Sequence, residues 1–124
     1  VAKRSSAEES HRRWNQHVID RFKEQQANPK FDMELHVLRL GDVAVATNPF
    51  ELFLDFGLRM KTQSKAQQTF IVQLTGSAGW YLPTIKAATG GGYSAIIQSS
   101  LVGPEGGDVL VNRTVELINA MWAK

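Results

Sequence analysis

The sequence predicts an α/β domain, with α+β as the neighbouring class: a small mixed sheet made of a β-hairpin plus a right-handed βαβ unit, packed by three helices. Three observations carry this. Two apolar runs, Met33–Leu40 and Val43–Thr47, flank Gly41-Asp42. An amphipathic stretch separates the second run from a third, Thr69–Leu74. Two further stretches of helical periodicity stand at the ends of the chain.

Taken in order, Ser6-Ala7-Glu8-Glu9 fits a capping box, the Ser6 hydroxyl meeting the Glu9 amide. The helix it opens runs from about Ala7 to Gln26, with Trp14, Val18 and Phe22 on one stripe. It stops before Asn28-Pro29, because a residue ahead of proline disfavours the α region. The stripe is narrow, so this helix is expected to pack on one side only. The Gly41-Asp42 link is short enough for an antiparallel hairpin, and its turn type stays open because it is not Asn-Gly. Val43-Ala44-Val45-Ala46 is almost wholly apolar, as a strand covered on both faces would be.

A second helix is expected from Pro49 to about Gln63, with Phe50, Phe53, Leu54, Leu58 and Met60 on its apolar face. Strand, helix and strand with short links make the flanking strands parallel. Residues 75–103 hold most of the glycine without clear periodicity, the pattern of a functional loop, with Tyr93–Ser99 as a possible short strand inside it. Pro104 suits the first position of a last helix running to about Trp122, with Val111, Val115, Ile118 and Trp122 inward. Gly106-Gly107 weakens its first turn and places its regular part nearer Asp108. The chain thus reads as one domain or subdomain: N-terminal helix 1–28, hairpin and βαβ unit 33–74, loop 75–103, and C-terminal helix 104–124.

Composition removes several function classes. Net charge is only +2, and the basic residues of the first helix are diluted by Glu8, Glu9, Asp20 and Glu24, which argues against nucleic acid as a partner. With no cysteine there is no disulfide, thiol nucleophile or cysteine-held metal. No apolar run approaches the roughly 20 residues of a transmembrane segment. The N-terminus lacks an apolar signal region, and Val1 in place of methionine suggests processing or a piece of a longer protein. His11 and His17, six apart, do not share a helix face, and neither HExxH nor a Gly-x-Ser-x-Gly elbow is present. Gly90-Gly91-Gly92-Tyr93-Ser94 lacks the lysine of a P-loop, and the Asn112-Arg113-Thr114 sequon falls inside the last helix.

Two motifs remain. Asn48-Pro49-Phe50-Glu51 has two readings. As structure, Asn48 is an N-cap, Pro49 the first helical residue and Glu51 a carboxylate at the positive end of the helix. As chemistry, a turn at the carboxyl end of a parallel strand is where α/β folds place their sites, and Glu51 there can hold a metal. Thirty residues on, Gly79-Trp80-Tyr81-Leu82-Pro83-Thr84 puts aromatic residues on a glycine-flanked loop, and Tyr93 follows the triple glycine.

In order and spacing these segments resemble the C-terminal part of the catalytic domain of neutral/alkaline non-lysosomal ceramidases and their bacterial relatives. His36–Lys61 is similar to that family's strand-turn-strand-Pro-x-Glu block, Gly79–Thr84 to its Gly-Tyr-Val-Thr-Thr loop, and Gly92-Tyr93-Ser94-Ala95 to its Tyr-Glu-Gly motif. The resemblance implies a zinc-dependent amide hydrolase in which zinc activates water for attack on the amide carbon. It makes Glu51 a zinc ligand, Tyr81 a zinc-proximal tyrosine and Tyr93 a donor to the scissile carbonyl. Trp80 and Thr84 fall on the substrate side. It further implies histidine ligands from upstream sequence, an N-acyl amide or lipid substrate, and a secreted or periplasmic setting. The partners it implies are the remainder of a parent domain or a second copy of this chain. Pro83 stands where the family has its first threonine, Trp80 is added, and the Glu-to-Tyr interval is shorter, so substrate identity does not carry over. The competing reading is a non-catalytic α/β interaction module in which Glu51 only caps a helix.

Overall fold

A computed structural model describes residues 5–123. The chain divides into two compact units, Val1–Phe31 and Asp32–Lys124. The first holds helix α1, Ser6–Ala27. Its capping box sits one residue earlier than expected. Ser5 Oγ accepts from the Glu8 amide at 3.3 Å and Glu8 Oε2 accepts from the Ser5 amide at 2.8 Å. Consecutive serines facing consecutive glutamates offer two registers, and the earlier one adds a residue to the helix. None of the α1 residues is buried, and Trp14 and Val18 on the anticipated stripe are half-buried.

The second unit is α/β. Its elements are β1 (Val37–Leu40), β2 (Val43–Thr47), β3 (Glu51–Leu52), α2 (Leu54–Gln63), β4 (Gln68–Val72), β5 (Tyr81–Leu82), α3 (Ile85–Gly90) and α4 (Pro104–Ala120). Strands β1 and β2 form the antiparallel hairpin, with Leu40 opposite Val43 across the two-residue turn. Gly41 alone takes a positive φ there (+61°), which is the type II′ pattern. Strand β4 joins β2 in parallel, giving the order β1-β2-β4. The first strand is shorter than its apolar run: Met33 and Leu35 pack on the core as irregular chain before β1 begins.

The core has two parts. Phe50, Leu52, Phe56, Met60, Leu82, Leu110 and Val111 form the larger, between α2, α4 and the β3/β5 pair. Ala44 and Ala46 of β2 with Ile118 of α4 form the smaller, where two small side chains leave room for the helix against the sheet. Trp122 packs there, and the Arg39 guanidinium lies 4.2 Å from its ring centroid while also bonding the Met121 carbonyl. On the other face of the sheet Leu38, Leu40, Phe70 and Val72 are exposed, while Val43 and Val45 between them are half-buried.

Three further expectations are corrected. Helix α2 starts at Leu54, not Pro49, and Glu51 is a strand residue. Residues 75–103 are not structureless, since they hold β5, α3 and two 3-10 turns, and the Tyr93–Ser99 stretch forms those turns rather than a strand. Helix α4 is regular from Pro104, because Gly106 and Gly107 are sites of close approach: a Cβ at Gly107 would run into the Phe56 ring.

Candidate functional site

The chain leaves β2 through Asn48-Pro49-Phe50, and Asn48 is fully enclosed. Its Oδ1 accepts from the Phe50 amide at 3.1 Å, two residues on, while its own amide donates to the Val72 carbonyl at 2.9 Å. This is an Asx turn, so the asparagine that would have capped a helix instead turns the chain into β3. From there Pro49–Phe53 is zipped to Gly79–Leu82. Gly79 N donates to Pro49 O at 2.8 Å, Glu51 N to Trp80 O at 2.9 Å and Phe53 N to Leu82 O at 3.3 Å. Gly79 is required at its place, because a Cβ would lie 2.5 Å from the Phe50 ring.

In this parallel ladder Glu51 is opposite Tyr81 and Leu52 opposite Leu82. Alternation along each strand sends Leu52 and Leu82 into the core and leaves the carboxylate and the phenol side by side on the other face. Hydrogen bonding to the neighbouring Glu51 carboxylate raises the Tyr81 phenol pKa above its ordinary value, and desolvation and the Glu51 charge push the same way. Trp80 takes a positive φ (+59°), unusual for a bulky residue, just before Tyr81, and pairs across a single antiparallel bridge with Ser100.

Tyr93 completes the group. Its ring stands edge-on to Tyr81, with centroids 5.9 Å apart at 80°, and it is 68% exposed. Gly91 and Gly92 lead into it with φ of +75° and +103°, a backbone path closed to most side chains. Thr84 lies elsewhere. Its Oγ1 caps α3 by accepting from the Ala87 amide at 3.2 Å, and it lines a cavity of about 300 Å³ with Phe56, Arg59, Glu105 and Asp108. None of Glu51, Trp80, Tyr81 and Tyr93 lines that cavity. The structure therefore places Tyr81 beside both Glu51 and Tyr93, joins Trp80 to Glu51 through its backbone, and makes Thr84 the N-cap of α3.

One residue at the site went unnoticed in the sequence. Gln73 Oε1 accepts from the Leu52 amide at 2.6 Å. A single glutamine after a strand carries no signal that would have singled it out.

As a zinc centre the donor set is incomplete. Catalytic zinc takes three protein ligands and a water, whereas Glu51 and Tyr81 supply two oxygens. Among the described residues no group of three or more His, Asp or Glu is arranged to hold a metal. His36 is exposed, with its Nε2 3.3 Å from Glu34 Oε2. The described residues do not by themselves fit the ion. Comparison with protein-family models, curated proteins and solved structures finds no match to this chain.

Proposed function

We propose that Glu51, Tyr81 and Tyr93 are this chain's share of the active site of a ceramidase-like, zinc-dependent amide hydrolase acting on an N-acyl amide or ceramide-type substrate. The observation that carries the reading is the pairing of Glu51 with Tyr81, with Tyr93 packed edge-on against the phenol. The family resemblance singled out these three positions, 30 or more residues apart from first to last; Glu51 and Tyr81 share one face of one small ladder, and the Tyr93 ring packs against the phenol. In this reading Glu51 offers an anionic oxygen, Tyr81 is oriented by its bond to that carboxylate, and the exposed Tyr93 hydroxyl donates to the oxygen on which charge develops. The remaining zinc ligands come from a longer parent chain, so the 124-residue chain alone is inactive and binds zinc weakly.

The exposed sheet face supports the half-domain part of this reading, since Leu38, Leu40, Phe70 and Val72 form an apolar surface of the kind that another part of a protein covers. Among the described residues no helix is long and apolar enough to cross a membrane.

The same open face also suits the second reading, a non-catalytic interaction module. In that case Glu51 pairs with Tyr81 for structure alone; it is not a helix cap, because α2 begins three residues later with Phe53 as its N-cap. Zinc titration by calorimetry separates the two, using this chain, the parent protein that contains it and the parent's Glu51→Ala variant. Tight binding by the parent that is lost in the variant supports the hydrolase. Zinc binding indifferent to Glu51, or zinc-dependent amidase activity in this chain alone, refutes the half-site.

A further inference from the structure

Strand β3 is two residues long and has a partner on one side only. Its backbone donors alternate. The Glu51 and Phe53 amides point to β5, where the Trp80 and Leu82 carbonyls take them. The Leu52 amide therefore points to the opposite edge, where a third strand would supply a carbonyl and where none is present. Leu52 is buried, so water is a poor substitute. The acceptor that fills the place is the Gln73 side chain, at 2.6 Å.

Gln73 is exposed, and its backbone is held from both sides. It follows the last residue of β4, whose carbonyl accepts from the Asn48 amide at 2.9 Å. Thr75 Oγ1 donates to the Gln73 carbonyl at 3.1 Å, and the Thr75 amide donates to the Asn48 carbonyl at 3.0 Å. Between them Leu74 takes a positive φ of +55°, a left-handed residue with a branched, exposed side chain. Non-glycine residues in that region persist where the surrounding bonds over-determine them, and such positions cluster at functional sites. The three-strand sheet thus reaches across to the two-strand ladder through one side-chain oxygen.

We propose that Gln73 is the positioning residue of the Glu51–Tyr81 pair, its Oε1 standing in for a missing third strand and fixing the twist of β3 so that the carboxylate faces the phenol. Without that acceptor, β3 is gripped on one edge and by Leu52 in the core beneath it, and Glu51 on its outer face is held less firmly against Tyr81. The inference rests on the reading of Glu51 and Tyr81 as a working pair.

The test uses Gln73→Met, which keeps length and removes the acceptor, and Gln73→Glu, which keeps an acceptor oxygen. Two readouts apply, both by NMR: exchange of the Leu52 amide, and nuclear Overhauser contacts between the Glu51 side chain and the Tyr81 ring. Gln73→Met is expected to speed Leu52 exchange about tenfold relative to its neighbours and to weaken the Glu51–Tyr81 contacts. Gln73→Glu is expected to restore Leu52 protection. An unprotected Leu52 amide in the wild-type chain overturns the proposal even if Gln73→Met fails to fold. So does a folded Gln73→Met in which both readouts match wild type. Failure of the pair itself is recognised separately: a wild-type chain that shows no Glu51–Tyr81 contacts removes the pair, whatever Gln73 does.

Discussion

Gly79→Ala is the sharpest test of how the ladder is built. Gly79 is buried, and its φ is not in the left-handed region, so alanine suits the backbone there. On that ground alone the substitution would stabilise the fold by about 0.4–1 kcal/mol, through a less disordered unfolded chain. Packing says the opposite. The new methyl would lie 2.5, 2.8 and 3.1 Å from three atoms of the Phe50 ring, against about 3.5–4.0 Å for a comfortable carbon–carbon contact. Phe50 is 2% exposed and wedged among Leu52, Phe56 and Leu82, so the ring has nowhere to swing. Overpacking of this kind costs about 1–3 kcal/mol, which outweighs the entropic gain. Net of the entropic gain, the loss of about 0.6–2 kcal/mol corresponds, in a unit spanning residues 32–124, to a melting temperature lower by about 2–16 °C. Thermal unfolding followed by circular dichroism measures it. A double-mutant cycle with Phe50→Leu should return a coupling of about 1 kcal/mol or more, because the narrower side chain makes room for the methyl. A Gly79→Ala chain that melts at or above the wild-type temperature would refute the close approach, and with it the account of why a glycine stands next to the site.

Two more outcomes are expected. Because Tyr81 holds its proton more tightly in the folded chain than in the unfolded one, its contribution to stability is complete below the ordinary phenol value of 10.0 and fades as pH rises through the raised value. Chemical denaturation between neutral pH and the alkaline limit should show that loss in wild type and a smaller one in Glu51→Gln. Thr114 is fully buried on α4, and its hydroxyl has no hydrogen-bond partner. Thr114→Val should therefore be neutral or stabilising by up to about 1–2 kcal/mol in the same assay; a clear destabilisation would mean that the hydroxyl is bonded in solution.

The parts of the fold that could be read in the sequence are those set by local chemistry. Gly41-Asp42 between apolar runs gives the hairpin, and two strands around an amphipathic stretch give the parallel pair. Proline and glycine fix the start of α4, with Gly103 as N-cap and Pro104 next to it. What could not be read is β3 and β5. Two-residue strands have no periodicity, and Asn48-Pro49 followed by an acidic residue mimics a helix start. The mimicry has a physical basis, since the same Asn48 oxygen that would serve an N-cap serves an Asx turn. Which of the two forms is decided by carbonyls 30 residues away, at Trp80 and Leu82. The candidate residues Glu51, Tyr81 and Tyr93 were legible through the resemblance, but their mutual contact was not, because it depends on that distant ladder. Gln73 was invisible for the same reason.

The brevity of the β3–β5 ladder has a thermodynamic corollary. Two strands of two residues do not hold together unaided; these persist because Leu52 and Leu82 are anchored in the core beneath them. Separation of the strands is therefore a local opening with a free energy of its own, smaller than that of global unfolding. A ligand that grips Glu51 and Tyr81 at once binds the closed ladder and not the open one. By linkage, part of its affinity is then expressed as resistance of this segment to opening, and the grip tightens the strands that make it.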